Sequence, residues 1–186
     1  DKKRTISAIP PPKTRKLLVI GDSSVGKTTM VNSFYRNETR IDPSAFLGVE
    51  FRCVSRKPWA EGGRWNVFDV SGSDPFRSLI KVYVPGTDAV LLAFDVADRS
   101  SFESLDGWLD WLSKEAGLDP NIPVMLVGIA QQDRPWHSGP FVTQDVAQVF
   151  ADARRLLYVG TSLKVRPADP DLGVDRVLDT LSATLD

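Results

Sequence analysis

Histidine and cysteine are almost missing from this chain: among 186 residues there is one of each, His137 and Cys53. A lone cysteine cannot close an internal disulfide, and one cysteine with one histidine cannot build a zinc site. The chain therefore reads as free of metal clusters and suited to a reducing compartment. Cys53 falls inside an apolar strand and reads as core rather than nucleophile; His137 is not read as catalytic. Net charge is nearly absent too, with Lys+Arg 23 against Asp+Glu 24. No cationic footprint for nucleic acid or anionic lipid results. No run reaches the roughly 18 apolar residues that a membrane span needs. The longest, Asp88–Asp95, has the length of a buried strand. Residues 1–12 are basic and then proline-rich, without the apolar segment of a secretory signal. Residues 1–13 read as a mobile lead-in to a single domain over 14–186.

What is present is an ordinary globular composition, 42% hydrophobic, 25% charged and 9% aromatic. It excludes a disordered chain, a collagen-like repeat and a coiled coil. A domain of this length buries about 70% of its extended-chain surface and needs no covalent or metal staple. Apolar runs alternate with amphipathic stretches. Residues 15–20 form a short apolar run ending in Gly21, as expected of a strand buried on both faces. A helix is expected from Thr28 to about Asn37. Leu47–Lys57 and Arg64–Val70, separated by Glu61-Gly62-Gly63, read as an antiparallel hairpin. Ala89–Val96, Val124–Val127 and Leu156–Val159 read as further strands.

Ser100–Ala116 reads as a helix with Phe102, Leu105, Trp108, Leu109 and Leu112 on one stripe, closed by Gly117. Trp108 is expected in the core and Trp111 half-exposed; Trp59 and Trp136 fall in loops and are better surface candidates. Thr143 caps a helix reaching Arg154, with Val146, Val149 and Phe150 expected to face inward. Val174, Val177, Leu178, Leu181 and Leu185 mark a last amphipathic helix. Strands alternating with helices imply parallel strands joined by right-handed crossovers. The expected fold is α/β, a three-layer sandwich around a six-stranded, mostly parallel sheet with one antiparallel edge hairpin and about five helices.

The strongest chemical signal is Gly21-Asp22-Ser23-Ser24-Val25-Gly26-Lys27-Thr28. It fits G-x-x-x-x-G-K-[ST] and stands between an expected strand and an expected helix. Glycines let backbone N–H groups turn inward around an anion, at a helix N-terminus whose dipole favours negative charge. Lys27 supplies a point charge to the β- and γ-phosphates, and the Thr28 hydroxyl can ligate Mg²⁺. The phosphate-binding candidates are Ser23, Ser24, Val25, Gly26, Lys27, Thr28 and Thr29.

With that loop the chain resembles the Ras-superfamily small GTPases, and within them the Rab group, over residues 14–185. Asp69-Val70-Ser71-Gly72 stands where the family's D-x-x-G lies. The resemblance implies the P-loop small-GTPase fold, with GTP or GDP and Mg²⁺ as cofactors. It places Thr28 and Asp69 at the metal and the Gly72 amide at the γ-phosphate. Gly48-Val49-Glu50-Phe51 and Phe76-Arg77-Ser78-Leu79 resemble Rab-typical switch stretches. Phe94-Asp95-Val96 with Ser101-Phe102-Glu103 is similar to the family's fourth strand and third helix. Thr161-Ser162-Leu163-Lys164 resembles the guanine-contacting loop, so Ser162, Leu163 and Lys164 would flank the base. Phe51, Phe68 and Tyr83 match the aromatic positions on which Rab proteins receive effectors. Phe68 and Tyr83 can equally be core. The partners implied are proteins docking on switches I and II of a chain that is a monomer outside its complex.

The departures from the family are as informative. The switch I threonine, which ligates Mg²⁺ in the family, falls on Phe46, a side chain without oxygen. The ring that stacks on guanine falls on Thr39. The glutamine that orients the attacking water falls on Ser73, whose hydroxyl is too short for that place. No catalytic residue is assigned, and hydrolysis is expected to be very slow or absent. Where N-K-x-D should end a strand, Ile129-Ala130-Gln131-Gln132-Asp133 stands instead. A one-residue insertion would bring Asp133 to the guanine-reading position; the other reading is a solvent-facing loop carboxylate.

Binding is less affected than turnover, because the phosphate loop, Asp69 and Gly72 survive. One reading is an atypical Rab-like GTP-binding protein that acts through its partners. The other is a constitutive scaffold whose nucleotide is structural or missing. A P-loop kinase is a distant third, since Arg154-Arg155 is too little for a lid. Without N-K-x-D, and with no cysteine for prenylation in Leu181–Asp186, the combination resembles the Rab-like members of the intraflagellar transport complex. That would imply a coiled-coil transport subunit as partner and a cytoplasmic place in a cilium or flagellum.

Overall fold

The computed structural model describes residues 13–34, 44–46, 48–55, 64–72, 77–131, 142–163 and 173–185. Strand β1 (Thr14–Ile20) leads into helix α1 (Lys27–Ser33). Strands β2 (Ser44–Phe46), β3 (Val49–Ser55) and β4 (Arg64–Val70) precede the short helix α2 (Arg77–Ile80). Then come β5 (Ala89–Asp95), α3 (Arg99–Glu103), α4 (Leu105–Asp110) and β6 (Val124–Ala130). Helix α5 (Gln144–Arg154), β7 (Leu157–Ser162) and α6 (Asp175–Leu185) follow.

The strands form one sheet in the order β2-β3-β4-β1-β5-β6-β7. Pairings β2–β3 and β3–β4 are antiparallel and all others parallel. The six expected strands are present with their antiparallel hairpin; β2, a three-residue strand, adds a seventh at the edge. The central strands are continuous apolar runs because each is covered on both faces. Leu17 and Val19 pack with α1 and α6, through Met30, Val31, Val177, Leu178 and Leu181. Leu18 and Ile20 point the other way, into a second core with Ile80, Leu105, Trp108, Ala147 and Ala151.

Helical details depart from the periodicity. The helix expected over Ser100–Ala116 is interrupted at Ser104 and ends in a π-helical turn over Trp111–Glu115, where the Ala116 N–H donates to the Trp111 carbonyl at 2.9 Å. Trp111, expected half-exposed, is buried and meets Trp108 edge-on at 6.0 Å between ring centroids. The wider π turn keeps it on the face that Trp108 buries. Gly117 closes the segment at φ 67°, as expected.

On α5, Thr143 caps the helix through the Val146 N–H, but Val146 and Val149 are exposed rather than inward. The contact stripe is Ala147 and Ala151, one turn apart and fully buried, with Phe150 half-buried against the Phe102 ring. Small side chains let this helix lie close to the sheet, and the valines rotate outward. Cys53 is half-buried in β3. Leu91, fully buried on β5, touches the core beneath α1 and α6. Truncating it leaves a cavity that two packed layers cannot close, so Leu91→Ala should lower unfolding free energy by about 2–5 kcal/mol in a denaturant titration. The exposed Val149→Ala should change it by less than about 0.5 kcal/mol.

Candidate functional site

Strand β1 runs directly into the phosphate loop, and the turn tolerates only glycine at its first position. Gly21 has φ 138°, and a Cβ there would lie 2.2 Å from the Ala93 carbonyl oxygen on β5. Ser24 is left-handed at φ 64°, and Gly26, at φ 101°, precedes the first residue of α1. Val25 is buried, whereas Ser23, Ser24, Thr28 and Thr29 are exposed. Lys27 folds back over the loop and its Nζ donates to the carbonyls of Gly21 (2.9 Å) and Asp22 (2.6 Å). It is buried, and burial pushes its pKa down while Asp69 and Asp22 pull it back up.

Asp69, near the end of β4, lies in register with Val19 on one side and Glu50 on the other. Its Oδ2 accepts from Thr28 Oγ1 at 2.5 Å, whereas Oδ1 is buried with no hydrogen-bond partner among the described residues. Burial pushes its pKa up; the Thr28 bond and Lys27 pull it down, Glu50 pushes it up and Arg52 draws it down. A carboxylate oxygen without a partner beside a threonine hydroxyl is the donor set of a hard divalent cation. These residues fit Mg²⁺.

Beside the loop lies a hollow of about 290 Å³ lined by Ser23, Ser24, Lys27 and Thr28, by Gly48, Val49 and Glu50, and by Asp69, Val70, Ser71 and Gly72. Gly72 sits so close to the loop that a Cβ would come within 2.5 Å of Ser23 N and 2.2 Å of Gly21 O. The Ser71 N–H donates to the Gly48 carbonyl at 2.7 Å and joins the segment after β4 to the residue before β3.

The loop after β7 reaches the other side of Gly26. A Cβ on Gly26 would stand 3.1 Å from Ile129 Cγ2 and 3.2 Å from Leu163 Cδ1, and the Leu163 N–H donates to Ala130 O at 2.9 Å. Leu163 thus borders the start of α1, whereas Ser162 stands in register with Ala130 at the end of β7, and both are buried. Phe51, Phe68 and Tyr83 form a separate chain of half-buried rings, 5.0 and 5.6 Å apart between successive centroids. Lys16 braces the chain, with Nζ 4.9 Å from the Phe68 centroid and donating to Pro85 O. Thr39, Trp59, Ser73, Phe76, Asp133, Trp136, His137, Lys164 and the Phe46 side chain lie outside the described residues.

Motif reading missed the ties that hold the loop. The Asp22 carboxylate accepts from Ser104 Oγ at 2.6 Å and from Trp108 Nε1 at 2.7 Å. Gln131 Nε2 donates to the Ser24 carbonyl at 2.9 Å. Both ties span more than eighty positions of chain, and no local pattern announces them.

Asp69→Asn keeps an acceptor for Thr28 and removes a buried charge. Because the Asp69 pKa is raised, the native state favours its protonated form; the penalty for ionisation is absent below the ordinary carboxylate range and grows as pH rises through the native value. The ligand-free variant should melt higher at neutral pH, by about 2–4 °C per kcal/mol recovered, and the gain should vanish near about pH 3. The same variant should lose Mg²⁺-dependent nucleotide retention, measured by filter binding.

The Ras family profile matches residues 16–183. Over 147 residues the chain is 31% identical to the Ras-related protein rab-11.1 of Caenorhabditis elegans, covering 79% of this chain and 67% of that protein. It is 33% identical over 147 residues to the Ras-related protein RABA1b of Arabidopsis thaliana, covering 79% and 66%. The match to the Ras-related protein RIC2 of Oryza sativa subsp. japonica, also 33% identical, covers 65% of that protein. The chain thus spans about two thirds of the length of these relatives. The loop on β1, the acid near the end of β4 and the glycine pressed against the loop match that ancestry, and the chain belongs to the Ras family as a Rab-like small GTPase.

Proposed function

We propose that this G domain, over 14–186, binds a guanine nucleotide with Mg²⁺ in the hollow and acts by docking partner proteins on its switches, hydrolysing GTP very slowly or not at all. The observation that carries this reading is the buried Lys27 next to a buried Asp69 with one oxygen lacking a partner among the described residues. Lys27 would exchange the Gly21 and Asp22 carbonyls for phosphate oxygens. Thr28 and Asp69 would hold the cation, which when bound neutralises phosphate charge. The Gly72 amide would face the terminal phosphate. Ser162, Leu163 and Lys164 would border the base, with Asp133 as its reading carboxylate.

Slow turnover follows from Ser73 and Phe46 in places where the family keeps a water-positioning glutamine and a metal-binding threonine. Intact relatives already hydrolyse on the order of 10⁻⁴ s⁻¹ unaided. The three tilted, contacting rings of Phe51, Phe68 and Tyr83 supply half-buried aromatic area of the kind that anchors partners. A switch requires that the partner prefer one nucleotide state, and without oxygen at position 46 that preference rests on Gly72 and switch II. The lost N-K-x-D motif favours a role in intraflagellar transport, with a coiled-coil subunit as partner and a cytoplasmic location in a cilium or flagellum. Phe46 and Ser73 equally favour the constitutive scaffold as second reading.

Denaturing the purified protein and chromatographing what it releases should yield a guanine nucleotide. Adenine would overturn the base assignment, and an empty site that stays empty after incubation with Mg²⁺ and GTP would leave the scaffold. Lys27→Met should weaken GTP binding by about a hundredfold, the effect of removing a charge-assisted phosphate contact. Single-turnover hydrolysis should run below about 10⁻⁴ s⁻¹.

A further inference from the structure

We propose that Gln131 is a positioning residue of the phosphate site: its carboxamide holds the Ser24 carbonyl outward and thereby sets the Val25 N–H inward, toward a bound polyphosphate. This rests on the reading of the hollow as a polyphosphate site.

Gln131 directly follows β6, and its Nε2 donates to two acceptors, Ser24 O at 2.9 Å and Asp95 Oδ2 at 2.8 Å. Two acceptors require that the nitrogen, not the oxygen, face them, so the chemistry fixes the orientation of the amide. Asp95 is itself buried, and its other oxygen accepts the Ala97 N–H at 2.9 Å. The clamp is therefore anchored in the turn after β5 rather than in a free side chain.

At its other end stands Ser24, a non-glycine residue at φ 64°. Such a conformation persists where surrounding contacts over-determine it, and the Gln131 bond is one of them. In a trans peptide the carbonyl and the following N–H point in opposite directions. Ser24 lines the hollow and Gln131 does not. A carbonyl drawn toward Gln131 consequently leaves the Val25 N–H on the hollow side. Without the donor, the Ser24–Val25 peptide can turn over and present an oxygen to an anion, which repels it. The effect concerns the phosphates alone and is the same for any base.

The experiment compares the wild-type chain with Gln131→Met, similar in length but without a donor, and Gln131→Lys, which restores one. Calorimetric titrations use Mg²⁺ with inorganic tripolyphosphate, GTP and ATP. The Met variant should bind all three about fivefold to tenfold more weakly, by a common factor, and the Lys variant should stay within about twofold of wild type. In ligand-free protein the Val25 amide ¹H–¹⁵N resonance should move in the Met variant and return in the Lys variant. Unchanged tripolyphosphate binding by the Met variant overturns the proposal. So does a loss confined to GTP, which would make Gln131 a base contact, or an equal loss in both variants, which would reduce it to packing. Wild-type protein that binds none of the three overturns the polyphosphate reading as well, whereas normal wild-type binding with an unaffected Met variant overturns this inference alone.

Discussion

Lys27 and Asp69 carry opposite charges into one hollow, and the rest of the structure is arranged around that burial. Loss of water drives each toward its neutral form, the lysine by lowering its pKa and the aspartate by raising it, and each partly restores the other. Neither is fully compensated. Lys27 spends its hydrogen bonds on loop carbonyls, and Asp69 keeps one oxygen without a partner among the described residues. A buried ion lacking full compensation is unfavourable by several kcal/mol in typical proteins. The ligand that relieves both has an anionic part for the lysine and a cationic part for the carboxylate, and a magnesium polyphosphate has both.

The backbone around these charges is fixed by close contact and by long-range side-chain ties. Glycines at 21 and 72 let β5 and the segment after β4 press directly on the loop. Asp22 fastens the loop to Ser104 and Trp108, next to the π turn that buries Trp111. Gln131 fastens it to Asp95 on the other side. A loop held in place before ligand arrives loses little conformational freedom on binding, which is how rigid sites gain affinity. The loop over Gly21–Lys27 is thus tied to Ser104 and Trp108 on one side and to the end of β6 on the other.

Much of this was legible in the sequence, for reasons that differ by element. The central strands announced themselves because burial on both faces demands unbroken apolar runs such as Leu17–Ile20. The phosphate loop was readable because its chemistry depends on residue type at fixed spacing. The outward valines of α5 and the buried Trp111 were not, since alanine contact faces and a π turn shift a helical stripe without altering hydrophobicity. Asp22, Trp108 and Gln131 were invisible as site residues because their roles arise from chain segments brought together only by the sheet order. The antiparallel hairpin was found, but β2, with only three residues, was too short to show a period.

Thermal unfolding of the full chain, stripped of nucleotide and scanned with Mg²⁺ alone, GTP alone and the two together, separates a cradle for a metal-bound polyphosphate from a hollow that only resembles one. If the buried pair awaits such a ligand, the melting temperature climbs with the logarithm of ligand concentration only when both are present, by the equivalent of about 2.7 kcal/mol at a hundredfold excess over Kd. A melting temperature unmoved by millimolar Mg²⁺ and GTP together, or raised as much by either one alone, would contradict it.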